Sequence, residues 1–176
     1  MITNERDNRR ERVAEAARKM MTAARTAPKA RGVDILECCM VEGDDIKRLS
    51  DAMLRLFEET GRPVFQRDAA NILKADALVV VATRPQPMGL DCGHCGSPTC
   101  AAKPGEVPCV FNSVDIGIAL GSAAATASDC RVDTRIMYSA GMGAQRLGLL
   151  DTPEGECRQY FAIPVSASSK SPFFDR

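Results

Sequence analysis

Tryptophan is absent, histidine occurs once and only 5% of residues are aromatic in this chain of 176 residues. With His94 the single histidine, a Ser-His-Asp relay has one candidate. No nucleophile elbow or P-loop accompanies it, so serine-hydrolase and P-loop chemistry are set aside. Net charge is missing too, since 23 Lys+Arg balance 23 Asp+Glu. That balance argues against a polybasic surface for nucleic acid or anionic membrane. No stretch approaches the roughly 18 uninterrupted apolar residues of a transmembrane helix. Residues 1–12 are heavily charged and lack the apolar run of a signal peptide. The expectation is a cytoplasmic protein with no membrane and no nucleic-acid partner. What the chain does have is 8 cysteines, which in a reducing compartment read as thiols rather than disulfides. Metal ligation or redox chemistry is then their leading explanation.

The 45% hydrophobic and 26% charged composition suits one domain over residues 1–176. Helical spacing of Val13, Ala16, Ala17, Met20 and Ala24 predicts a helix over 4–27, ended by Pro28. Residues 33–41 read as a strand. A helix follows, capped by Asp44 or Asp45, striped by Ile46, Leu49, Met53, Leu56 and Phe57, and closed by Gly61. A short helix is predicted over 65–74. The run ALVVVAT, residues 77–83, is continuous and apolar, which places it centrally in a sheet. Residues 111–128 form an Ala/Gly-rich helix with Gly117 and Gly121 four apart, a surface another backbone can approach closely. Residues 139–149 are helical, and 159–166 form a strand whose Pro164 suits an edge or strand end. The pair Phe173 and Phe174 must dock on something, a neighbouring protomer included, and with the small-residue helix it points to a homodimer. The fold class is α/β or α+β: a sheet with flanking helices, in three layers.

Between the central strand and the Ala/Gly helix lies a Pro/Gly-rich segment, 84–110, without periodicity. Cys92, Cys95, Cys100 and Cys109 stand in it with spacing C-x2-C-x4-C-x8-C. Two intervening residues let Cys92 and Cys95 converge on one centre. Gly93 and Gly96 allow positive φ angles and leave N–H groups free to point at sulfur. Four thiolates can hold a [4Fe–4S] cluster, or a structural zinc ion; the second pair, Cys100 and Cys109, is spaced unlike a zinc knuckle. His94 reads as a neighbour of the site rather than a ligand. Cys38 and Cys39 fall on opposite faces of a strand and read as small hydrophobes, and Cys130 and Cys157 as structural. Gly141-Met142-Gly143 has Arg146 where a dinucleotide fingerprint has its third glycine, so its nucleotide signal is weak, and helix initiation is the reading that accounts for it.

The pattern Cys-Gly-x-Cys-Gly-x-x-x-Cys resembles the iron–sulfur module of electron-transfer subunits and of acetyl-CoA decarbonylase/synthase components. More widely, the chain resembles a family of uncharacterised bacterial and archaeal proteins described as containing a ferredoxin domain. The stretches AARTAPKARGVD, FQRDAANILKADALVVVAT, GLDCGHCG, FNSVDIGIALGSA, RVDTRIMYSAG and SPFFDR carry that resemblance. It implies a [4Fe–4S] cluster on Cys92, Cys95, Cys100 and Cys109, and electron transfer to a redox partner or small oxidoreductase activity. The gap before Cys109 is shorter than in the isolated module. A second resemblance, carried by AARTAPKARG and the element order, is to nitroreductase-like flavoproteins. It implies a homodimer with FMN between two chains, Arg25 and Lys29 facing the flavin phosphate, and Lys170 or Arg176 helping from the tail.

Overall fold

Strand β2 (Ala77–Thr83) lies at the centre of the molecule, and all of its residues are buried. The computed structural model describes residues 2–153 and 155–174. In it β2 pairs antiparallel with β1 (Leu36–Glu42) on one side and β4 (Arg158–Ser166) on the other. A short strand, β3 (Asp133–Thr134), completes the order β1-β2-β4-β3. Side chains alternate across a strand, so β2 serves two cores. Ala77, Val79 and Val81 face a cluster built by helices α1 (Arg9–Thr26) and α4 (Val110–Asp129). Leu78, Val80 and Ala82 face a second one, built by α2 (Asp44–Thr60), α3 (Pro63–Ile72) and α5 (Tyr138–Arg146). Each buried Val or Leu contributes about 1.5–3 kcal/mol, and only a central strand covered on both faces collects that from consecutive residues. This is the expected three-layer arrangement of helices, sheet and helices.

The helices start and stop for local reasons. Helix α1 ends because Ala27 precedes Pro28 and takes an extended ψ of 143, as the proline ring demands. Helix α2 is not capped by an aspartate side chain. Gly43 is its N-cap, and Asp44 and Asp45 sit inside the first turn, where their charge complements the helix dipole. Gly61 closes it in the left-handed conformation, its N–H donating to the Phe57 carbonyl at 2.8 Å. Helix α3 begins at Pro63, earlier than periodicity indicates, because proline suits the first helical position.

Two expectations are corrected. Pro164 does not mark a sheet edge: β4 is flanked by β2, and on its far side by β3 and by Met137, which exchanges both backbone hydrogen bonds with Ala162. Pro164 lies two residues beyond Ala162 and turns its nitrogen the same way, into the gap between Met137 and β3, where no donor is required. Nor does Phe173 dock on a neighbouring protomer, since its place is within its own chain. Phe173 is fully buried in the second core and Arg135 Nη1 donates to its carbonyl at 2.9 Å.

Gly141 lies inside α5 against β4, where an added Cβ would meet the Tyr160 carbonyl oxygen at 2.0 Å. Close packing, rather than helix initiation, explains the Gly-Met-Gly sequence. Helix α4 is long and apolar enough, by length and composition alone, to cross a membrane. Its inner face, including Ile116, Ala119, Ala123 and Ala127, is built into the first core.

Candidate metal centre

The chain leaves β2 at Thr83 and has no helix or strand until α4 begins at Val110. The body of the protein holds this loop at several points. Arg84 N–H donates to the Ile35 carbonyl at 2.8 Å, and its Nη2 to the Asp34 carbonyl at 2.6 Å. Met88 is buried in the first core, and Arg31 Nη1 donates to its carbonyl at 2.7 Å. Arg158 Nη1 donates to the Gly105 carbonyl at 2.8 Å. The His94 ring meets Phe111 edge-on with centroids 6.4 Å apart.

Within the loop, Gly89, Asp91, Gly93 and Gly96 all have positive φ, so the chain turns repeatedly around the thiols. Gly96 N–H closes one turn on the Gly93 carbonyl at 2.9 Å. Asp91 Oδ1 accepts the Cys100 N–H at 2.6 Å. Cys92 is exposed, Cys95 and Cys100 are half-buried, and Cys109 is buried at the N-cap of α4. Among the described residues no group of three or more His, Cys, Asp or Glu side chains is gathered closely enough to hold a metal ion. The donor set fits an iron–sulfur cluster in chemistry and number, on one loop with free thiols. Convergence of the four thiols requires the loop to rearrange from this arrangement. Cys109 also lines a cavity of about 20 Å³ with Thr83 and Asn112, room for one water. The Asn112 Oδ1 is buried there without a protein partner.

The cations expected at a flavin phosphate are engaged elsewhere. Lys29 Nζ donates to the carbonyls of Ala24, Arg25 and Ala27 at 3.2, 2.6 and 2.8 Å, closing the end of α1. Arg25 Nη1 donates to Asp34 Oδ2 at 2.7 Å and to the Leu36 carbonyl at 2.5 Å. Burial acts against the Asp34 carboxylate, but the hydrogen bonds from Arg25 and the Leu36 N–H and the Arg25 and Lys29 charges outweigh it, and its pKa lies below the usual range. Lys170 is exposed, and Arg176 lies outside the described residues. Lys29 thus spends its three donors on backbone carbonyls of its own chain.

Three residues that motif spacing did not single out organise the region. Asp115, buried on α4, accepts the Ala30 N–H with both oxygens. Its signal was a single internal acid in a helix whose one other charge is the terminal Asp129. Arg31, at φ 56, and Asp91 carry no comparable signal, because their partners are carbonyl and amide groups distant in sequence. Cys38 and Cys39 do fall on opposite faces, packing against the first and second cores.

Residues 105–176 match the sequence model of a family described as "Uncharacterized protein containing a ferredoxin domain (DUF2148)". That match includes Cys109 and begins after the other three loop cysteines. An uncharacterized protein from Archaeoglobus fulgidus is 36% identical over 186 residues, covering 100% of this chain and 98% of that one. Among solved structures, the fold is similar to a nitroreductase with bound FMN from Bacteroides fragilis. The TM-score is 0.64 at 12% identity, covering 89% of this chain and 78% of that one. A nitroreductase with bound FMN from Desulfitobacterium hafniense gives a TM-score of 0.62 at 14% identity, with the same coverage. Likeness at such identity concerns the fold alone.

Proposed function

The chain belongs to the family of uncharacterized proteins containing a ferredoxin domain, and from that premise we propose that it is an electron-transfer protein carrying one [4Fe–4S] cluster on Cys92, Cys95, Cys100 and Cys109. The family description and the nitroreductase-like fold both suggest redox or electron-transfer work. The observation that carries the finer reading is the placement of four free thiols on one loop, anchored to the body by Arg31, Arg84 and Arg158. When bound, the cluster supplies one-electron chemistry, at a potential set by hydrogen bonds to sulfur and by solvent exposure. Gly93 and Gly96 turn the chain at positive φ between the thiols, although the Gly96 N–H expected to face sulfur is taken by the Gly93 carbonyl, and the exposure of Cys92 opens the site to a redox partner. The thiol state suits a reducing, cytoplasmic compartment. A second copy of the chain is the partner that fits the outer face of α4, where Val114, Gly117, Ile118 and Gly121 are exposed and uncharged.

The test is the visible spectrum of protein purified without oxygen. A broad absorption bleached by dithionite and restored by mild oxidant, and lost in Cys92→Ala and Cys95→Ala, supports the reading. A colourless protein carrying one zinc per chain overturns it.

A further inference from the structure

We propose that Asp91 is a positioning residue for the cysteine loop, folding Cys100 back toward Cys92 before any metal arrives. The inference rests on the cluster reading above and adds Asp91, which that reading does not use. Arg31 holds the Met88 carbonyl at 2.7 Å, and the Ala30 N–H beside it is held by the buried Asp115 at 3.0 Å. The start of the loop is therefore tied to α4 through two successive residues. Beyond Met88 the chain reverses at Gly89 and Asp91, with φ 67 and 46. Asp91 has a side chain yet keeps the left-handed conformation, which costs backbone energy and is tolerated where a local bond compensates. That bond is the 2.6 Å acceptance of the Cys100 N–H by Oδ1.

The geometry has two consequences for metal capture. Asp91 precedes Cys92 directly, so its bond to Cys100 spans the segment holding three of the four thiols and shortens the closure a cluster requires. It also fixes the Cys100 N–H on carboxylate, so that amide is not free to hydrogen-bond sulfur. Arg31 acts one step further out, setting where the clasp begins. Neither residue donates to iron.

The experiment compares wild type, Asp91→Ala, Asp91→Asn and Arg31→Met, each reconstituted with iron and sulfide without oxygen. Iron per chain is measured first, then the decay of visible absorption in air. Circular dichroism melting of the metal-free proteins checks folding. An Asn keeps an acceptor at Oδ1, so it separates the clasp from the charge. Asp91→Ala is expected to lose the cluster about fivefold faster than wild type, the effect of one charge-assisted hydrogen bond. Asp91→Asn should restore most of the lifetime, and Arg31→Met should shorten it, with unchanged melting for both Asp91 variants. If wild type holds iron and Asp91→Ala keeps it equally long, the positioning role is wrong while the cluster reading stands. If Asp91→Asn behaves like Asp91→Ala, the carboxylate acts through charge and the clasp is overturned. If wild type takes up no iron, the cluster reading fails and this inference with it.

Discussion

Asp115, in the second turn of the apolar helix α4, receives the Ala30 N–H on both carboxylate oxygens, at 3.0 and 3.2 Å. The bond joins residues 85 apart in sequence and seats the turn around Ala30 against α4. Asp115 is 2% exposed, so its replacement by Leu leaves a partly buried amide without its acceptor, at a cost of about 1–3 kcal/mol. Calorimetry should show a lowered melting temperature for Asp115→Leu, largely restored in Asp115→Asn, which keeps an acceptor. Equal melting of all three proteins would mean that the turn is held by something else.

The Arg25–Asp34 pair gives a pH dependence with a defined sign. The folded-state pKa of Asp34 is lowered, so in the acid range the unfolded chain binds more protons than the folded one. The pair's stabilisation is therefore present above the ordinary carboxylate pKa of about 3.9 and is lost as pH falls through the lower folded value. Asp34 is 41% exposed, and solvent screening keeps the effect below about 1 kcal/mol. Urea midpoints of wild type and Asp34→Asn should differ at neutral pH and converge under acid. A gap that widens on acidification contradicts the assignment.

Thiol reactivity should follow burial. Burial, then the neighbouring Cys38, pushes the Cys39 thiol up to about 11. Cys157 is likewise pushed up to about 11 by burial, then by the Glu37 and Asp151 carboxylates. Thiolate is the nucleophile, so alkylation of metal-free protein near neutral pH should label Cys92 early and Cys39 and Cys157 last. A thiol held protonated in the folded state stabilises it below the unfolded value of about 8.5, and that contribution drains away as pH rises toward 11. Mass-spectrometric mapping that finds Cys157 labelled as fast as Cys92 would refute the packing described.

Two glycines with opposite surroundings make a matched test. At Gly141 a Cβ would meet the Tyr160 carbonyl oxygen at 2.0 Å, whereas at Gly117 nothing lies within 4 Å. Gly141→Ala must push α5 off β4 and should cost about 1–3 kcal/mol or more. Gly117→Ala should be neutral or stabilising by up to about 1 kcal/mol, from helix propensity. Chemical denaturation of both variants measures the contrast directly. On the proposed pairing of α4 outer faces, a bulky charge there, Gly121→Arg, should shift the sedimentation-velocity profile toward monomer without loss of folding, and an unchanged profile would contradict that pairing.

Periodicity located what periodicity can encode. β2 runs from Ala77 to Thr83 in the sequence reading and in the structure, because an unbroken apolar run has one stable place, covered on both faces. Helix α3 was displaced because Pro63 shapes a helix start without contributing to an apolar stripe. The four loop thiols stand out in the sequence by their spacing, and the structure keeps them on one loop without gathering three of them together. The uses of Lys29 and Arg25 were not legible, because a cation's partner is decided by three-dimensional neighbours. Lys29 stands just beyond α1, where terminal carbonyls lack intrahelical donors, and takes three of them. Phe173 reads as a docking residue in sequence, but only the packed second core shows that its dock lies in its own chain.

The central claim is tested most directly by iron, acid-labile sulfide and zinc content per chain, measured on protein purified without oxygen. The account predicts about four irons and four sulfides with little zinc, falling sharply when any of Cys92, Cys95, Cys100 or Cys109 is replaced by Ala. One zinc and no sulfide, or iron content indifferent to those cysteines, would contradict it.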